Sequence, residues 1–222
     1  MNGKIYYIIP AREGSKGLPH KNRKLIGYII AQLQDNLPNV YISTDDPQII
    51  KTYENSQINV IIRPTELAQD STSVKDTLLH AVAQIKPSDD DLMIVLYPTY
   101  PERNKCDIDD AIKFFNKQNA TSLLCKKKYS GISPYLLMYP VGEYNGRQII
   151  THNLYRRQDY PPVFEISHFI IIIKVSELVN LNSNLYNNNT VFMNIKSVID
   201  VDTVDDWHQL FENSENHGII HK

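Results

Sequence analysis

The sequence predicts an α/β fold whose mostly parallel sheet is covered by helices on both faces. The first half of the chain alternates short apolar runs with segments of helical spacing, which is the pattern of successive strand–helix–strand units. The run at residues 169–173 is continuous, apolar and β-branched, which is typical of a central strand. The 222 residues, 42% of them hydrophobic and 22% charged, suit one ordinary domain with a sizeable core.

The same periodicities assign the individual elements. Strands are predicted at residues 5–9, 39–44, 59–62, 92–96, 121–125, 169–173 and 198–202. Helices are predicted at residues 28–33, from Pro47 onward, and at residues 73–84, 108–115 and 204–213; Pro47 favours a first helical turn that Asp46 can cap. Residues 126–162 are polar and weakly periodic. We therefore predict a single domain over residues 1–222 with an inserted region at about 126–162.

Charge, hydropathy and cysteine content argue against several classes of protein. A net charge of −2 at pH 7 gives no overall attraction to nucleic acid or to an acidic membrane. No apolar run reaches the roughly 18 residues that a membrane-spanning helix needs, and the first residues lack the cleavage region of a signal peptide. Cys106 and Cys125 are far apart and form no metal-binding cluster. These features predict a cytoplasmic protein with two free thiols that binds neither nucleic acid nor membrane.

The loop after the first predicted strand combines glycines with basic side chains. From residue 10 its sequence is PAREGSKG, and Lys21 and Asn22 follow shortly after. Glycines let the backbone approach a ligand closely, and exposed N–H groups with basic side chains suit a polyphosphate. The spacing matches neither the Walker A loop nor the dinucleotide-binding GxGxxG motif. An ordinary basic turn is an equal alternative at this point.

Polar segments also follow other predicted strands, and ligands of parallel α/β sheets bind beyond the carboxyl ends of the strands. The sequence RPTELA begins at Arg63, and DSTS at residues 70–73 precedes a helix that one of its serines can cap. The sequence LYPTYPER spans residues 96–103. The sequence YRRQDYPPV begins at residue 155, and its paired guanidinium groups either bind a carboxylate or form a solvated face.

Two aspartates near the end of the sequence form a candidate metal site. Asp200 and Asp202 alternate in a predicted strand, which puts both carboxylates on one side of it. Two like charges so close are costly without a cation, and Mg²⁺ binds through one or two carboxylates together with phosphate oxygens. The alternative is an acidic cluster at a helix N-terminus, because Asp205 and Asp206 follow.

Taken together and in order, these motifs resemble those of the acylneuraminate cytidylyltransferases, the CMP-sialic acid synthetase family. The resemblance implies a three-layer Rossmann-like nucleotidyltransferase fold in which the region 126–162 mediates a homodimer. It also implies an enzyme that transfers CMP from CTP to the anomeric hydroxyl of a sialic-acid-like nonulosonic acid and releases pyrophosphate. The alternatives are a CMP-activating enzyme for another acid sugar (pseudaminate, legionaminate or 3-deoxy-manno-octulosonate) and a degenerate, non-catalytic homologue that binds a nucleotide or a sugar.

The resemblance also implies roles for residues of this chain. The implied catalytic residues are Arg12, Lys21 and Asp202. The implied nucleotide-binding residues are Ala11, Arg12, Gly14, Ser15, Lys16, Asn22 and Arg63. The implied substrate-binding residues are Ser73, Tyr97, Thr99, Arg156, Arg157 and Gln158. The implied ligands of a Mg²⁺ ion are Asp200 and Asp202.

The chain departs from the family pattern in three places. Tyr97 stands where the family has glutamine, and residues 166–168 read Ile-Ser-His where it has Asn-Gly-Ala. Both departures lie where the acceptor sugar is expected to bind. The segment behind Asn22 is several residues shorter than in the family, which trims a loop beside the expected triphosphate. His168, next to the buried run, is expected to be a packing residue rather than a catalytic one.

Overall fold

A seven-stranded sheet forms the centre of the molecule in a computed structural model, which describes residues 3–217, with side chains described as far as residue 212. The strands are β1 Ile5–Pro10, β2 Val40–Thr44, β3 Asn59–Ile62, β4 Leu92–Val95, β5 Ser122–Lys128, β6 Met138–Val141, β7 Asn145–Gln148, β8 Phe164–Lys174 and β9 Val191–Asn194. The helices are α1 Lys21–Gln32, α2 Pro47–Tyr53, α3 Val74–Ile85, α4 Lys105–Lys117 and α5 Val204–His217. The sheet order is β3-β2-β1-β4-β8-β5-β9, and β6 and β7 form a separate hairpin.

Most strand pairs in this sheet are parallel. β1 pairs in parallel with β2 and with β4, β2 with β3, and β5 with β9. The long strand β8 runs antiparallel between β4 and β5, and it places Ile172 opposite Ile94. The prediction of an α/β fold with a mostly parallel sheet is therefore confirmed, and the apolar run at residues 169–173 is its central antiparallel strand.

Helices cover both faces of the sheet because the buried strands are apolar on both. On one face, α1, α2 and α4 contribute Ile29, Ile49 and Phe115 to a single apolar cluster. On the other face, α3 contributes Leu78 and Ala81 to a second cluster. Successive strand residues point to opposite faces, so β1 supplies side chains to both clusters. The result is a three-layer arrangement of helices, sheet and helices.

The start of α2 follows the sequence prediction. The Asp46 carboxylate accepts hydrogen bonds from the backbone N–H groups of Gln48 (2.9 Å) and Ile49 (3.4 Å), and Pro47 occupies the first turn. Arg23 Nε donates a further hydrogen bond to Asp46 over 2.6 Å. Burial by itself would raise the pKa of Asp46, but the hydrogen bonds from Arg23 and the two backbone groups outweigh it and lower the pKa.

The predicted strand at residues 198–202 is wrong. This segment has no regular secondary structure, and the last strand, β9, lies earlier in the chain. Val201 is buried against Leu25 of α1 and Leu210 of α5, and its N–H group donates to the carbonyl of Thr99 over 2.8 Å. The apolar alternation of this segment therefore reflects burial against helices rather than pairing within a sheet.

Two further differences concern α1 and the inserted region. Helix α1 begins at Lys21 instead of residue 28, because its first turn is largely polar and the apolar spacing becomes clear only later. The inserted region contains the hairpin of β6 and β7, whose residues are all exposed. A strand pair without a buried face has no alternation of apolar and polar residues, so its pattern was not detectable.

Candidate functional site

A cavity of about 320 Å³ opens beyond the carboxyl ends of β1, β3 and β4, since the loops after these strands line it. It is the position at which open α/β sheets bind ligands. The structure brings together in its lining the predicted residues Arg12, Ser15, Lys16, Lys21, Asn22, Arg63, Tyr97, Thr99, Asp200 and Asp202. Segments that are distant in sequence therefore meet at one cavity, as residues of a single binding site must.

The opening loop is held in place through its backbone. The Ala11 N–H group donates to the carbonyl of Ser43 over 2.9 Å, and the buried hydroxyl of Thr44 donates to the carbonyl of Ala11 over 2.5 Å. Asn22 Nδ2 donates to the carbonyl of Arg12 over 2.7 Å, which ties the loop to the first turn of α1. Ala11 is fully buried and does not line the cavity. Its observed role is to anchor the loop to β2.

Basic side chains of this loop are paired with a carboxylate at the mouth of the cavity. Arg12 Nη2 lies 2.6 Å from an oxygen of Asp70, and Lys16 contacts the other oxygen of the same carboxylate. Hydrogen bonds from Lys16 and Arg12 lower the pKa of Asp70 below its ordinary value. Sequence analysis did not single out Asp70, although it begins the predicted polar segment DSTS. An anionic ligand that binds these cations competes with Asp70 for them.

Arg63 places a buried positive charge in the cavity wall. Its Nη2 donates to the carbonyl of Ser43 over 2.8 Å, and its Nε contacts the hydroxyl of the same residue at 3.3 Å. Only 6% of Arg63 is exposed, and this burial lowers the pKa of its guanidinium to about 10. Arg63 therefore keeps its charge at neutral pH in a setting that water screens weakly.

The two predicted metal ligands lie in the same cavity but have different surroundings. Tyr100 Oη donates to Asp200 Oδ2 over 2.7 Å, while Asp200 Oδ1 is buried and has no hydrogen-bond partner within the described residues. The Asp202 side chain is 63% exposed, and Lys21 Nζ lies 2.5 Å from its Oδ1. Val201, between them, is fully buried, so the backbone of the segment is fixed.

This carboxylate pair fits Mg²⁺ chemically. The unpaired oxygen of Asp200 is a hard, buried ligand that lacks a partner, which is costly unless a cation or donor binds it. Within the described part of the chain, no group of three or more His, Cys, Asp or Glu side chains could hold a metal ion. An ion at this site therefore needs oxygens from a second source, as Mg²⁺ commonly does when it binds together with phosphates.

Gly17 brings the opening loop into contact with the acidic segment. A Cβ atom on Gly17 would lie 2.3 Å from the carbonyl oxygen of Asp202, which is far too close. Leu18, the next residue, packs with Leu25, Val201 and Leu210 in one small apolar cluster. Glycine is therefore required here for the close approach of two backbones, whereas the sequence suggested the close approach of a backbone to a ligand.

An aromatic pair forms the remaining wall of the cavity. The rings of Tyr97 and His168 meet edge to face with their centroids 5.7 Å apart. Burial raises the pKa of the Tyr97 hydroxyl, and the Asp200 carboxylate raises it further, so this group stays protonated. His168 also lines the cavity, and its edge-to-face contact with Tyr97 agrees with the packing role expected for it. The two positions that depart from the family pattern are thus in direct contact with each other.

Several predicted site residues lie outside the cavity lining. Ser73 caps α3 by accepting a hydrogen bond from the N–H group of Asp76 over 3.1 Å, which was the alternative considered for this serine. Gly14 lies in the opening loop but does not line the cavity. Arg156 pairs with Asp159 in the inserted region. Arg157 lines a separate cavity within the inserted region, and Gln158 is its neighbour in sequence.

Comparison with known proteins assigns the family. The family model described as cytidylyltransferase matches residues 6–201. The N-acylneuraminate cytidylyltransferase of Escherichia coli O18:K1:H7 is 36% identical over 123 residues, which are 52% of this chain and 29% of that protein. The enzyme of the same name from Streptococcus agalactiae serotype III is 26% identical over 214 residues, which are 90% of this chain and 51% of that protein. The chain spans about half the length, or less, of these curated relatives.

Another relative matches along nearly its whole length. The CMP-N,N'-diacetyllegionaminic acid synthase of Legionella pneumophila is 26% identical over 222 residues, which are 92% of this chain and 93% of that protein.

Solved structures show the same fold. The structure of CMP:2-keto-3-deoxy-manno-octonic acid synthetase complexed with CTP aligns with a TM-score of 0.69 at 16% identity and covers 97% of this chain and 100% of that one. The 4-diphosphocytidyl-2C-methyl-D-erythritol synthase of Anaerococcus prevotii aligns with a TM-score of 0.63 at 13% identity, covering 97% and 99%. The Rossmann-like nucleotidyltransferase fold is thereby confirmed. Because the family model spans most of the sequence, the chain belongs to the cytidylyltransferase family.

Proposed function

We propose that this protein is an enzyme that transfers CMP from CTP to the anomeric hydroxyl of a sialic-acid-like nonulosonic acid and releases pyrophosphate. The observation that carries the proposal is a single cavity that joins a basic glycine loop to a carboxylate pair. The basic side chains suit the phosphates of CTP, and the carboxylates suit a divalent cation. The catalytic task in such a transfer is mainly positioning and charge neutralisation.

The residues of the cavity divide this task between them. Arg12 and Lys16, with N–H groups of the opening loop, would hold the phosphates once Asp70 is displaced. Lys21, whose side chain is only 15% exposed, would neutralise charge that develops on the phosphates during transfer. Arg63 would hold the nucleotide from the buried side through fixed donors.

Asp200 and Asp202 are the proposed ligands of Mg²⁺. The ion, when bound, supplies a Lewis acid that polarises the reacting phosphate. The two carboxylates contribute by holding their charge in fixed positions: Asp200 through Tyr100, and Asp202 through the backbone contact with Gly17.

The acceptor sugar is proposed to bind against Thr99, Tyr97 and His168. These residues line the cavity, and the aromatic pair limits the shape of the group that fits beside it. Support for an acid sugar comes from the names of the relatives, which act on N-acylneuraminate and N,N'-diacetyllegionaminic acid. Legionaminate is the second candidate acceptor, because the synthase of that sugar matches this chain over nearly its full length.

A homodimer is part of the proposal. The hairpin of β6 and β7 exposes Met138, Tyr139 and Val141, each by more than half, and exposed apolar groups of this kind are common at interfaces. Arg156, Arg157 and Gln158 lie on the same inserted region, outside the cavity of their own chain. In a dimer formed through this region they would bind the sugar carboxylate at the partner's cavity, where a guanidinium pairs well with a carboxylate.

A cytoplasmic location is proposed with the reaction. CTP is a cytoplasmic nucleotide, and Cys106 and Cys125 are free thiols. No helix within residues 3–217 is long and apolar enough to cross a bilayer.

Release of pyrophosphate from CTP and Mg²⁺ with a panel of acid sugars tests the proposed reaction. The panel contains N-acetylneuraminate, legionaminate, pseudaminate and 3-deoxy-manno-octulosonate, with a reaction that lacks sugar as the blank. Asp202→Asn should lower the rate at least about 100-fold, because metal-assisted stabilisation of the transition state is worth several kcal/mol. Asp205→Asn is the matched control, since Asp205 is exposed in the first turn of α5 and does not line the cavity.

Two results would contradict the proposal. If the protein bound CTP but released no pyrophosphate with any sugar of the panel, the degenerate homologue would be the better description. If Asp202→Asn kept full activity, the metal assignment would be wrong.

A further inference from the structure

We propose that Tyr100 is a positioning residue that orients Asp200 for a divalent cation, an inference that rests on the metal site of the proposed function. Tyr100 does not face the ion in this scheme. It occupies one oxygen of the carboxylate with a hydrogen bond and leaves the other, buried oxygen without a partner among the described residues. Nothing in the sequence marked Tyr100 as more than part of the segment LYPTYPER.

The evidence begins with a directional chain of donors. The Phe169 N–H group donates to Ser167 Oγ at 3.3 Å, and Ser167 Oγ lies 3.5 Å from Tyr100 Oη, to which it donates. Tyr100 Oη in turn donates to Asp200 Oδ2 over 2.7 Å. Each hydroxyl accepts from the preceding group and gives its proton to the next. This series of hydrogen bonds therefore ends on a single oxygen of the Asp200 carboxylate, Oδ2.

Tyr100 is held rigidly, which lets it impose this orientation. It is 5% exposed, and its ring meets Phe169 edge to face with the centroids 5.5 Å apart. The buried guanidinium of Arg103 donates to the carbonyls of Phe169 (2.6 Å) and Tyr97 (3.0 Å), which ties the loop carrying Tyr100 to β8. The ring thus has little freedom to turn away from Asp200.

Asp200, by contrast, lies on a segment that no sheet holds. Residues 195–202 have no regular secondary structure, so strand geometry does not set the direction of this side chain. The backbone is fixed by the hydrogen bond from Val201 to Thr99, but the χ angles of Asp200 are not fixed by it. The hydrogen bond from Tyr100 supplies the missing constraint.

The consequence is a buried carboxylate oxygen on a residue that lines the cavity. Asp200 Oδ1 has no partner among the described residues, and a group in that state normally needs a donor or a cation. Ligating carboxylates are commonly oriented by hydrogen bonds from residues behind them, and loss of such a partner typically costs 10- to 100-fold in metal affinity. The hydrogen bond from Tyr100 to Asp200 is a contact of this type, made from behind the proposed metal ligand.

Titration of Mn²⁺ by electron paramagnetic resonance, with CTP present and no acceptor sugar, tests the inference. In Tyr100→Phe the dissociation constant for Mn²⁺ should rise about 10- to 100-fold. In a separate assay that contains the acceptor sugar, pyrophosphate release by this variant should recover when the metal concentration is raised. Ser167→Ala should act in the same direction by less than about 10-fold, because it removes only the outer donor. Tyr7→Phe is the matched control: Tyr7 is also a buried core tyrosine, and it lies outside the cavity.

The outcomes separate the inference from the function on which it rests. If wild-type protein bound Mn²⁺ with CTP and Tyr100→Phe bound it equally well, the inference would be overturned while the metal site stood. A lower melting temperature with unchanged Mn²⁺ affinity would likewise overturn it, since that result indicates a purely structural hydrogen bond. If wild-type protein bound no Mn²⁺ in the presence of CTP, the metal site itself would fail, and the inference with it.

Discussion

Replacement of Gly17 by alanine is the sharpest test of how the two halves of the site are joined. The new Cβ would lie 2.3 Å from the carbonyl oxygen of Asp202, whereas ordinary contacts begin at 3.4 Å, so one backbone must move by about 1 Å. Overpacking of this kind costs about 1–3 kcal/mol, which is a small enough loss for the fold to survive. A displacement of about 1 Å at a catalytic group can lower the rate about 100-fold. We therefore expect Gly17→Ala to be folded but nearly inactive.

The assay is pyrophosphate release at saturating CTP and acceptor, with thermal unfolding measured in parallel. Gly27→Ala is the matched control, because Gly27 lies in α1 and a Cβ there meets nothing within 4 Å. Alanine is the better helix former by about 1 kcal/mol, so the control should be more stable, by roughly 2–4 °C, and fully active. Wild-type turnover in Gly17→Ala would refute the reasoning, since the two backbones would then not need to touch.

Three other changes test the surroundings of the cavity. Thr44→Val removes a buried hydroxyl that holds the opening loop, and the unpaired carbonyl and N–H group it leaves should lower the free energy of unfolding by about 1–3 kcal/mol in a denaturant titration. The pKa of Asp46 is lower in the folded state than the unfolded value of 3.8, so the ionised carboxylate stabilises the fold above that pH and this stabilisation is lost as the pH falls through the folded-state pKa. In Asp46→Asn the free energy of unfolding should therefore fall less steeply with decreasing pH below about pH 4 than in the wild type. Asp70→Asn releases Arg12 and Lys16, so the dissociation constant for CTP should fall about 2- to 10-fold at low salt and approach the wild-type value at high salt.

The sequence predicted the elements that have a buried, regular pattern. Strands β1, β2, β3 and β4 and the central strand β8 carry continuous apolar runs, and their positions were close to those observed. Residues 198–202 have the apolar spacing of a strand, but Val201 is buried against α1 and α5. Burial by helices produces the same apolar spacing as burial in a sheet. The hairpin of β6 and β7 was missed for the opposite reason, since neither of its faces is buried.

Site residues were predictable where a motif carried them and were missed where only three-dimensional contact reveals them. The basic loop, Arg63 and the two aspartates were recognised as candidates from residue type and order. Tyr100 was not, because a tyrosine that donates to a carboxylate 100 residues away leaves no local pattern. His168 packs against Tyr97, as its apolar neighbours in sequence suggest, and the fold adds that this pair of rings lines the cavity.

Charge pairing in the cavity supports the proposal that nucleotide and metal bind at one site. In the structure the cations and carboxylates neutralise each other: Arg12 and Lys16 bind Asp70, and Lys21 binds Asp202. CTP alone would take the cations and leave carboxylates facing its phosphates, whereas a metal alone would displace Lys21 and leave it without a partner. Together they would provide a counter-charge for the three basic side chains and for Asp200 and Asp202, while Asp70, whose side chain is 46% exposed, would be left to solvent. The proposed nucleotide–metal pair therefore fits the charges of this cavity better than either ligand alone.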